Sequence, residues 1–274
     1  MSVVTISRQL GSLGTEIAQA VAKKLNYEYM DKDKIAEDLT RYGLPPPEVE
    51  KLDEKKPPFW DSLSIQRGRY LHLIQALIYD FARKDNVVIV GRGGQVLLKD
   101  LPGVLHVRII APFDVRIQRI IDKGKGGEKQ AAEILRRSDR NSAGFNRAFF
   151  DVDWDDQTLY DLIINTRKLS VDAGVRMILE SIHSPEIKDG EKKAEEKLAD
   201  LALVQKVEAS LVDILGTDLR HISIHAERGV VTLGGAVTSK ALRNDCQNAV
   251  ARIEGVNRVD NQLTVSGYYE YKGE

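Results

Sequence analysis

Short β-branched runs alternate with amphipathic helical patterns through the first 182 residues of this 274-residue chain, and that alternation most limits what it can fold into. Val3–Ile6 suits the centre of a buried parallel sheet, where both faces of a strand are covered. Ile17, Ala18, Val21, Ala22 and Leu25 then recur at helical spacing. Further strands are expected over Tyr27–Met30, Asn86–Val90, Val104–Ile110 and Leu162–Ile164. Helices are expected over Lys32–Arg41, Ile65–Lys84, Phe113–Lys123, Glu128–Asn141 and Val171–Ser181. Residues 45–60, with two proline clusters, read as a loop. The alternation predicts an α/β domain at 1–182, three layers around a parallel sheet.

Composition changes after that. Residues 183–197 are polar and charged and read as a linker leading into a helix. From 198 to 267 the rhythm is α-β-β-α-β: helix Leu201–Leu215, strands His221–His225 and Val230–Leu233, helix Ser239–Ile253, strand Val256–Val265. A separate small α+β domain is expected, followed by a tail at 268–274.

A formal net charge of −1 gives no global attraction to nucleic acid, and none is expected as a partner. The single cysteine, Cys246, reads as a buried small residue and fits a reducing compartment. No charged stretch followed by a long apolar run opens the chain, and no run approaches ~18 apolar residues, so a cytoplasmic address without membrane attachment is expected. His221 and His225 are weak grounds for a metal site, and Asp151, Asp153, Asp155 and Asp156 read as a charged loop.

The stretch that carries chemistry is Ser7–Thr15, SRQLGSLGT, between the first strand and the first helix. Backbone N–H groups and a helix N-terminus there can face an anion, with Gly11 and Gly14 in the loop. Taken alone, it could equally be a tight turn. Further along stand Val90-Gly91-Arg92-Gly93, the IAPFDVRIQR segment ending at Arg119, the arginine-rich RRSDRNSAGFNR, and DLIINTRKLS at Asp161–Ser170.

In this order, these motifs resemble the cytidylate kinase-like family of P-loop proteins. The likeness puts Ser7 on the first loop glycine, Leu13 on the phosphate-binding lysine and Thr15 on the hydroxyl that helps hold Mg2+. Tyr29-Met30-Asp31 resembles the strand leading to the acceptor region. Arg92 falls on an arginine that contacts the acceptor monophosphate, with Gly93 in place of an aspartate. Arg136, Arg137, Asp139, Arg140, Asn146 and Arg147 resemble an arginine-rich lid. Residues 198–267 resemble a BON domain, carried by VVTLGGAV and IEGVNRVDNQL.

The resemblance implies ATP-dependent phosphoryl transfer to a nucleoside monophosphate of CMP type or a related small acceptor. Ser7, Gly11, Ser12, Gly14 and Thr15 would bind the phosphates, and Arg8, Arg136, Arg140 and Arg147 would supply the catalytic charge. Asp31 and Arg92 would face the acceptor, with ATP and Mg2+ as co-substrate and metal. Because Leu13 replaces the lysine, a nucleotide-binding sensor without turnover is the alternative. The BON-like part would serve dimerisation or a protein or small-ligand partner; a membrane-surface adaptor ranks last, since no basic amphipathic helix supports it.

Overall fold

The computed structural model describes residues 2–41, 64–124, 126–188, 191–216, 219 and 221–266. The chain divides into two compact units, Met1–Pro57 with Phe81–Glu195, and Pro58–Asp80 with Glu196–Glu274. In chain order the elements up to residue 188 are β1 (Val3–Arg8), α1 (Gly14–Leu25), β2 (Glu28–Met30), α2 (Lys32–Arg41) and α3 (Ser64–Arg83). Then come β3 (Val87–Val90), α4 (Gly94–Leu97), β4 (Val104–Ile110), α5 (Phe113–Asp122), α6 (Glu128–Phe150), β5 (Leu162–Asn165), α7 (Val171–Ile182) and α8 (Pro185–Lys188).

The five strands of the first unit are all parallel, in the order β2-β3-β1-β4-β5. β1 is central, so Val3–Ser7 are buried on both faces, which is why the strand opens on the β-branched run Val3–Ile6 rather than alternating apolar with charged residues. Val4 and Ile6 pack with Val88, Val90, Val107 and Ile109 of the neighbouring strands and with Ile17, Val21, Val175 and Ile178 of α1 and α7. The chain leaves β1 toward β2 on one side and leaves β4 toward β5 on the other. The carboxyl ends of β1 and β4 therefore border the crevice in which open α/β sheets take their ligands.

Several elements differ from the sequence reading. α6 continues to Phe150, nine residues beyond the expected end at Asn141 (150 − 141), because Phe145 and Asn146 are buried and extend its packed face. Asp151, in the left-handed region at φ 51°, ends it. The stretch read as a linker is partly helical: α8 lies in it, and α9 (Glu191–Leu215) begins in it. Its Glu, Lys and Ala residues are good helix formers, so charge there does not mean irregular chain. The proline-rich loop expected at 45–60 lies outside the described residues.

In the second unit α9 is followed by β6 (Ile222–Glu227), β7 (Val230–Val237), α10 (Lys240–Val250), β8 (Arg258–Asn261) and β9 (Thr264–Val265). β6 and β7 form a hairpin whose two turn residues, Arg228 and Gly229, both have positive φ, the geometry that matches strand twist. β8 and β9 pair with β7 in parallel. Val207, Leu211, Val231, Leu233, Cys246 and Val250 form the core beneath this sheet.

The sequence assigned all of α3 to the first domain, whereas its residues up to Asp80 belong to the second unit. Tyr70, Leu73, Ile74, Leu77 and Ile78 are buried. Arg69 pairs with Asp213 at 3.5 Å and Asp80 with Lys206 at 2.7 Å, so α3 and α9 run antiparallel. Between these pairs, His72 Nδ1 lies 2.9 Å from Gln205 Oε1 and 3.1 Å from Glu208 Oε2.

Two histidines, one in each unit, are shifted in opposite directions. Burial alone would depress the pKa of His72, but hydrogen bonds to Glu208 and Gln205 and the Glu208 charge push it above the ordinary 6.5. Its stabilising contribution is complete below 6.5 and is lost as pH rises through the raised value. His106, whose Nδ1 is 2.7 Å from Thr5 Oγ1 on β1, is pushed below 6.5 by burial, against Asp161 and a backbone contact at Leu98. Its contribution is complete above 6.5 and is lost as pH falls toward the depressed value. Hydrogen exchange, corrected for intrinsic rates, should therefore show α9 and α3 gaining protection from pH 7.5 to 5.5 while β1 and β4 lose it. A common response in both units would contradict these assignments.

Candidate active site

β1 ends at Arg8, and the chain turns through Gln9–Leu13 before α1 begins at Gly14. The turn is anchored to β4: Gln9 N–H donates to the Ile109 carbonyl (3.1 Å), and Gln9 Oε1 accepts from Ala111 N–H (3.2 Å). Within the turn, Ser12 donates both its N–H (3.2 Å) and its hydroxyl (2.8 Å) to the Gln9 carbonyl. Gly11 lies at φ 80° and Leu13 at φ 63°. For leucine the left-handed conformation costs about 1–2 kcal/mol. Leu13 is also the N-cap residue and offers no side-chain cap. Among the described residues, nothing accepts a hydrogen bond from the N–H groups of Leu13, Gly14 or Thr15. An uncapped helix start at the end of a buried strand favours an anion.

Arg8 lies over that helix start. A methyl on Gly14 would overlap Arg8 Cβ and come within 2.9 Å of its Cγ, so glycine is what lets the arginine stem pass. Arg8 is half-buried, and its guanidinium makes no hydrogen bond or ion pair with any described residue. It borders a small, partly open cleft together with Ser7, Gly91–Gly93 and Gln95 from the β3–α4 turn, Ser142, Phe145 and Asn146 of α6, and Trp154. Arg92 is the second cation of this cleft; it is 5% exposed and stands 5.9 Å from the Phe145 ring. Gln95 Nε2 donates to Asn146 Oδ1 (3.0 Å), joining the β3–α4 turn to α6.

The profile of the cytidylate kinase-like family matches residues 3–168, more than half of the chain. The chain belongs to the cytidylate kinase-like family. The BON domain profile matches residues 199–267, so the second unit carries a BON domain. A cytidylate kinase from Natronomonas pharaonis is 28% identical over 204 residues, 70% of this chain and 96% of that protein. One from Archaeoglobus fulgidus is 29% identical over 195 residues, 69% of this chain and 99% of that protein. In fold the chain is similar to a solved structure from Eubacterium ventriosum of an uncharacterized protein, with a TM-score of 0.52 and 20% identity. That similarity covers 66% of this chain and 97% of the other.

In this cytidylate kinase-like protein the residues singled out by sequence separate into two groups. Arg8, Gly11, Ser12, Gly14 and Thr15 come together at the turn, with Arg92 across the cleft. Thr15 is exposed in the first turn of α1. Ser12 is buried, with its hydroxyl used inside the turn. Ser7 lines the cleft, but its Oγ accepts from Trp154 Nε1 (2.8 Å) and lies 3.3 Å from Tyr160 Oη, in a buried cluster. Arg108 completes that cluster, bonded to the Trp154 carbonyl, the Asp155 carboxylate and Tyr160 Oη, with the Trp154 ring 4.4 Å away. The acidic run around Trp154 is thus used internally, since Asp156 also accepts from Thr158 N–H (2.9 Å).

The remaining residues lie elsewhere. Asp31 accepts from the N–H groups of Asp33 (3.0 Å) and Lys34 (3.2 Å), so its carboxylate caps α2. Arg136 sits 5.3 Å from the Phe113 ring, Arg140 is exposed, and Arg147 forms a 3.7 Å pair with Asp151 in which both partners face solvent. Spaced four and seven apart on one continuous helix, these three share a face, while Ser142 and Asn146 occupy the face that lines the cleft. Gly93 has its own steric reason. It lies at φ 73°, and a Cβ there would overlap the Phe150 ring, so the resemblance's aspartate has no room.

The sequence reading missed Arg116 and Thr166 and used Arg119 only as the end of a motif. Arg116, Arg119 and Lys123 recur three and four apart, a basic stripe on the side of α5 facing the turn and α1. Lys123 reaches Glu16 of α1 at 2.6 Å. That stripe was the available signal.

Proposed function

We propose that this chain transfers the γ-phosphoryl group of ATP to a nucleoside monophosphate of CMP type or a related small acceptor. The observation that carries this reading is Arg8, a half-buried cation with no hydrogen bond or ion pair to a described residue, lying over an uncapped helix N-terminus. The N–H groups of Leu13, Gly14 and Thr15 would hold phosphate oxygens, and the Arg8 fork would supply the charge that Leu13 does not. The Thr15 hydroxyl, exposed and bonded to no described residue, suits a magnesium ion otherwise held by phosphate oxygens and water. Magnesium would supply charge neutralisation along the phosphates. Arg92, on the far side of the cleft, would face the acceptor phosphate. That acceptor needs no general base, because its phosphate oxygen is largely ionised near neutral pH.

A second reading, a nucleotide-binding sensor without turnover, is favoured by the placement of Arg136, Arg140 and Arg147 off the cleft face. In it the BON domain would pass the bound state to a second copy, a protein or a small ligand. The experiment is ADP formation with magnesium, screened against CMP, dCMP, UMP, AMP and GMP, beside calorimetric ATP binding. Acceptor-dependent ADP formation supports the kinase. Binding without turnover on any acceptor supports the sensor, and absence of ATP binding removes both.

A further inference from the structure

Three consecutive carbonyls of the turn, those of Leu10, Gly11 and Ser12, are held from one side by residues far along the chain. Arg116 Nη1 donates to Leu10 O (3.4 Å), and Arg119 Nη1 donates to Gly11 O (3.1 Å). Thr166 Oγ1 donates to Ser12 O (2.8 Å). The holders are themselves fixed. Arg119 donates to Thr166 Oγ1 (3.0 Å) and to its carbonyl (2.7 Å). Arg116 forms a two-pronged pair with Asp139 of α6, at 3.0 and 2.9 Å. Arg116 and Thr166 are buried, and Thr166 N–H donates to Ile110 O (2.9 Å), fastening the brace to the end of β4.

In a planar trans peptide the carbonyl and the following N–H point opposite ways. Holding Leu10 O and Ser12 O from behind therefore sends the N–H groups of Gly11 and Leu13 the other way. The Ser12 N–H is used inside the turn by Gln9 O. The same contacts bracket Leu13, the one non-glycine residue of the turn in the left-handed region. A strained residue persists where its surroundings over-determine it, and here the peptide entering Leu13 is fixed at its carbonyl.

We infer that Arg119 and Thr166, with Arg116 behind Leu10, are positioning residues that hold Leu13 left-handed and thereby aim the turn's N–H groups at an anionic phosphate chain. The inference deepens the proposed function and rests on the turn binding phosphate. Its particular consequence is that the brace is needed because residue 13 is leucine. Glycine takes the left-handed region without strain, so a glycine at 13 would hold the turn without the brace.

The test uses full-length protein as wild type, Thr166→Val, Arg119→Lys, Leu13→Gly and the two doubles with Leu13→Gly. Magnesium-ATP affinity is measured by calorimetry, and amide exchange of the peptide spanning the turn is measured without ligand. Thr166→Val keeps the side-chain shape and loses the hydroxyl; Arg119→Lys keeps the charge and loses the fork. Each single is expected to weaken ATP binding about tenfold and to speed exchange at the turn. Each double is expected to return to within about twofold of Leu13→Gly alone in both readouts. A purely structural role would show no such rescue. Unchanged affinity and exchange in both brace variants, or losses that Leu13→Gly does not restore, overturn the inference. If wild type binds no ATP while the brace variants loosen the turn and Leu13→Gly restores it, the brace stands and the nucleotide reading falls.

Discussion

Arg8→Ala is expected to lower phosphoryl transfer by about 10²- to 10³-fold, the range seen when one preorganised donor to a transition-state charge is removed. The fold should be unchanged, because no hydrogen bond or ion pair links the Arg8 guanidinium to a described residue, and its stem lies against the glycine start of α1. ATP affinity should also fall, because the arginine charge acts on bound phosphates as well as on the moving group. Arg8→Lys should recover part of the rate, since a single ammonium replaces charge but not the planar two-donor fork. Steady-state kinetics with matched thermal melts decide the matter. Unaltered kcat and KM in Arg8→Ala would mean that another group does the work assigned to the missing lysine. If wild type proves to be a sensor, the same variant should still lose ATP binding.

Gly93→Asp is expected to destabilise the first unit by about 2–3 kcal/mol, combining left-handed strain with overlap at a packed aromatic ring. The ring in question belongs to Phe150, which closes α6 beside Phe145, their centroids 5.9 Å apart and nearly edge-on. Because the two residues compete for one volume, Phe150→Ala should relieve much of the cost, giving a coupling well outside the few tenths expected of independent sites. Urea unfolding of the two singles and the double measures this. Additive effects would show that Phe150 yields freely, and the departure at Gly93 would then need another cause. The double also places a carboxylate in the cleft on the side proposed to face the acceptor, so the same variant can be screened for acceptor preference.

The first unit's sheet could be read from the chain because buried parallel strands are short, mostly apolar and β-branched runs, as Val3–Ile6 and Val87–Val90 are; Val104–Ile110 is one too, apart from the buried His106 and Arg108. Arg8 and the turn were legible because strand, turn and helix adjoin in sequence. What stayed hidden depends on partners far away. Asp31 reads the same whether it meets an acceptor or caps α2, since capping aspartates precede helices everywhere. Arg136, Arg140 and Arg147 form a basic run in either case, and only the continuity of α6 puts them on a face away from Asn146. Thr166 lies 154 residues from the carbonyl it holds, and no local pattern reports that. The membership of α3 was hidden for the same reason. A helix apolar on more than one face must be buried, but its sequence does not say by what.

That helix also bears on how the protein is made. The part of α3 that ends at Asp80 leaves the ribosome well before Glu196, where its unit resumes. At about 5–20 residues per second, the intervening stretch takes on the order of ten seconds to synthesise. Through that interval Tyr70, Leu73, Ile74 and Leu77, all buried in the folded protein, have been translated while α9, to which Arg69, His72 and Asp80 of the same helix are bonded, has not. The nascent chain thus offers a defined apolar segment to chaperones, and a ribosome stalled after β5 but before Glu196 would carry all five strands of the kinase-family sheet beside a stretch of α3 whose unit is not yet complete.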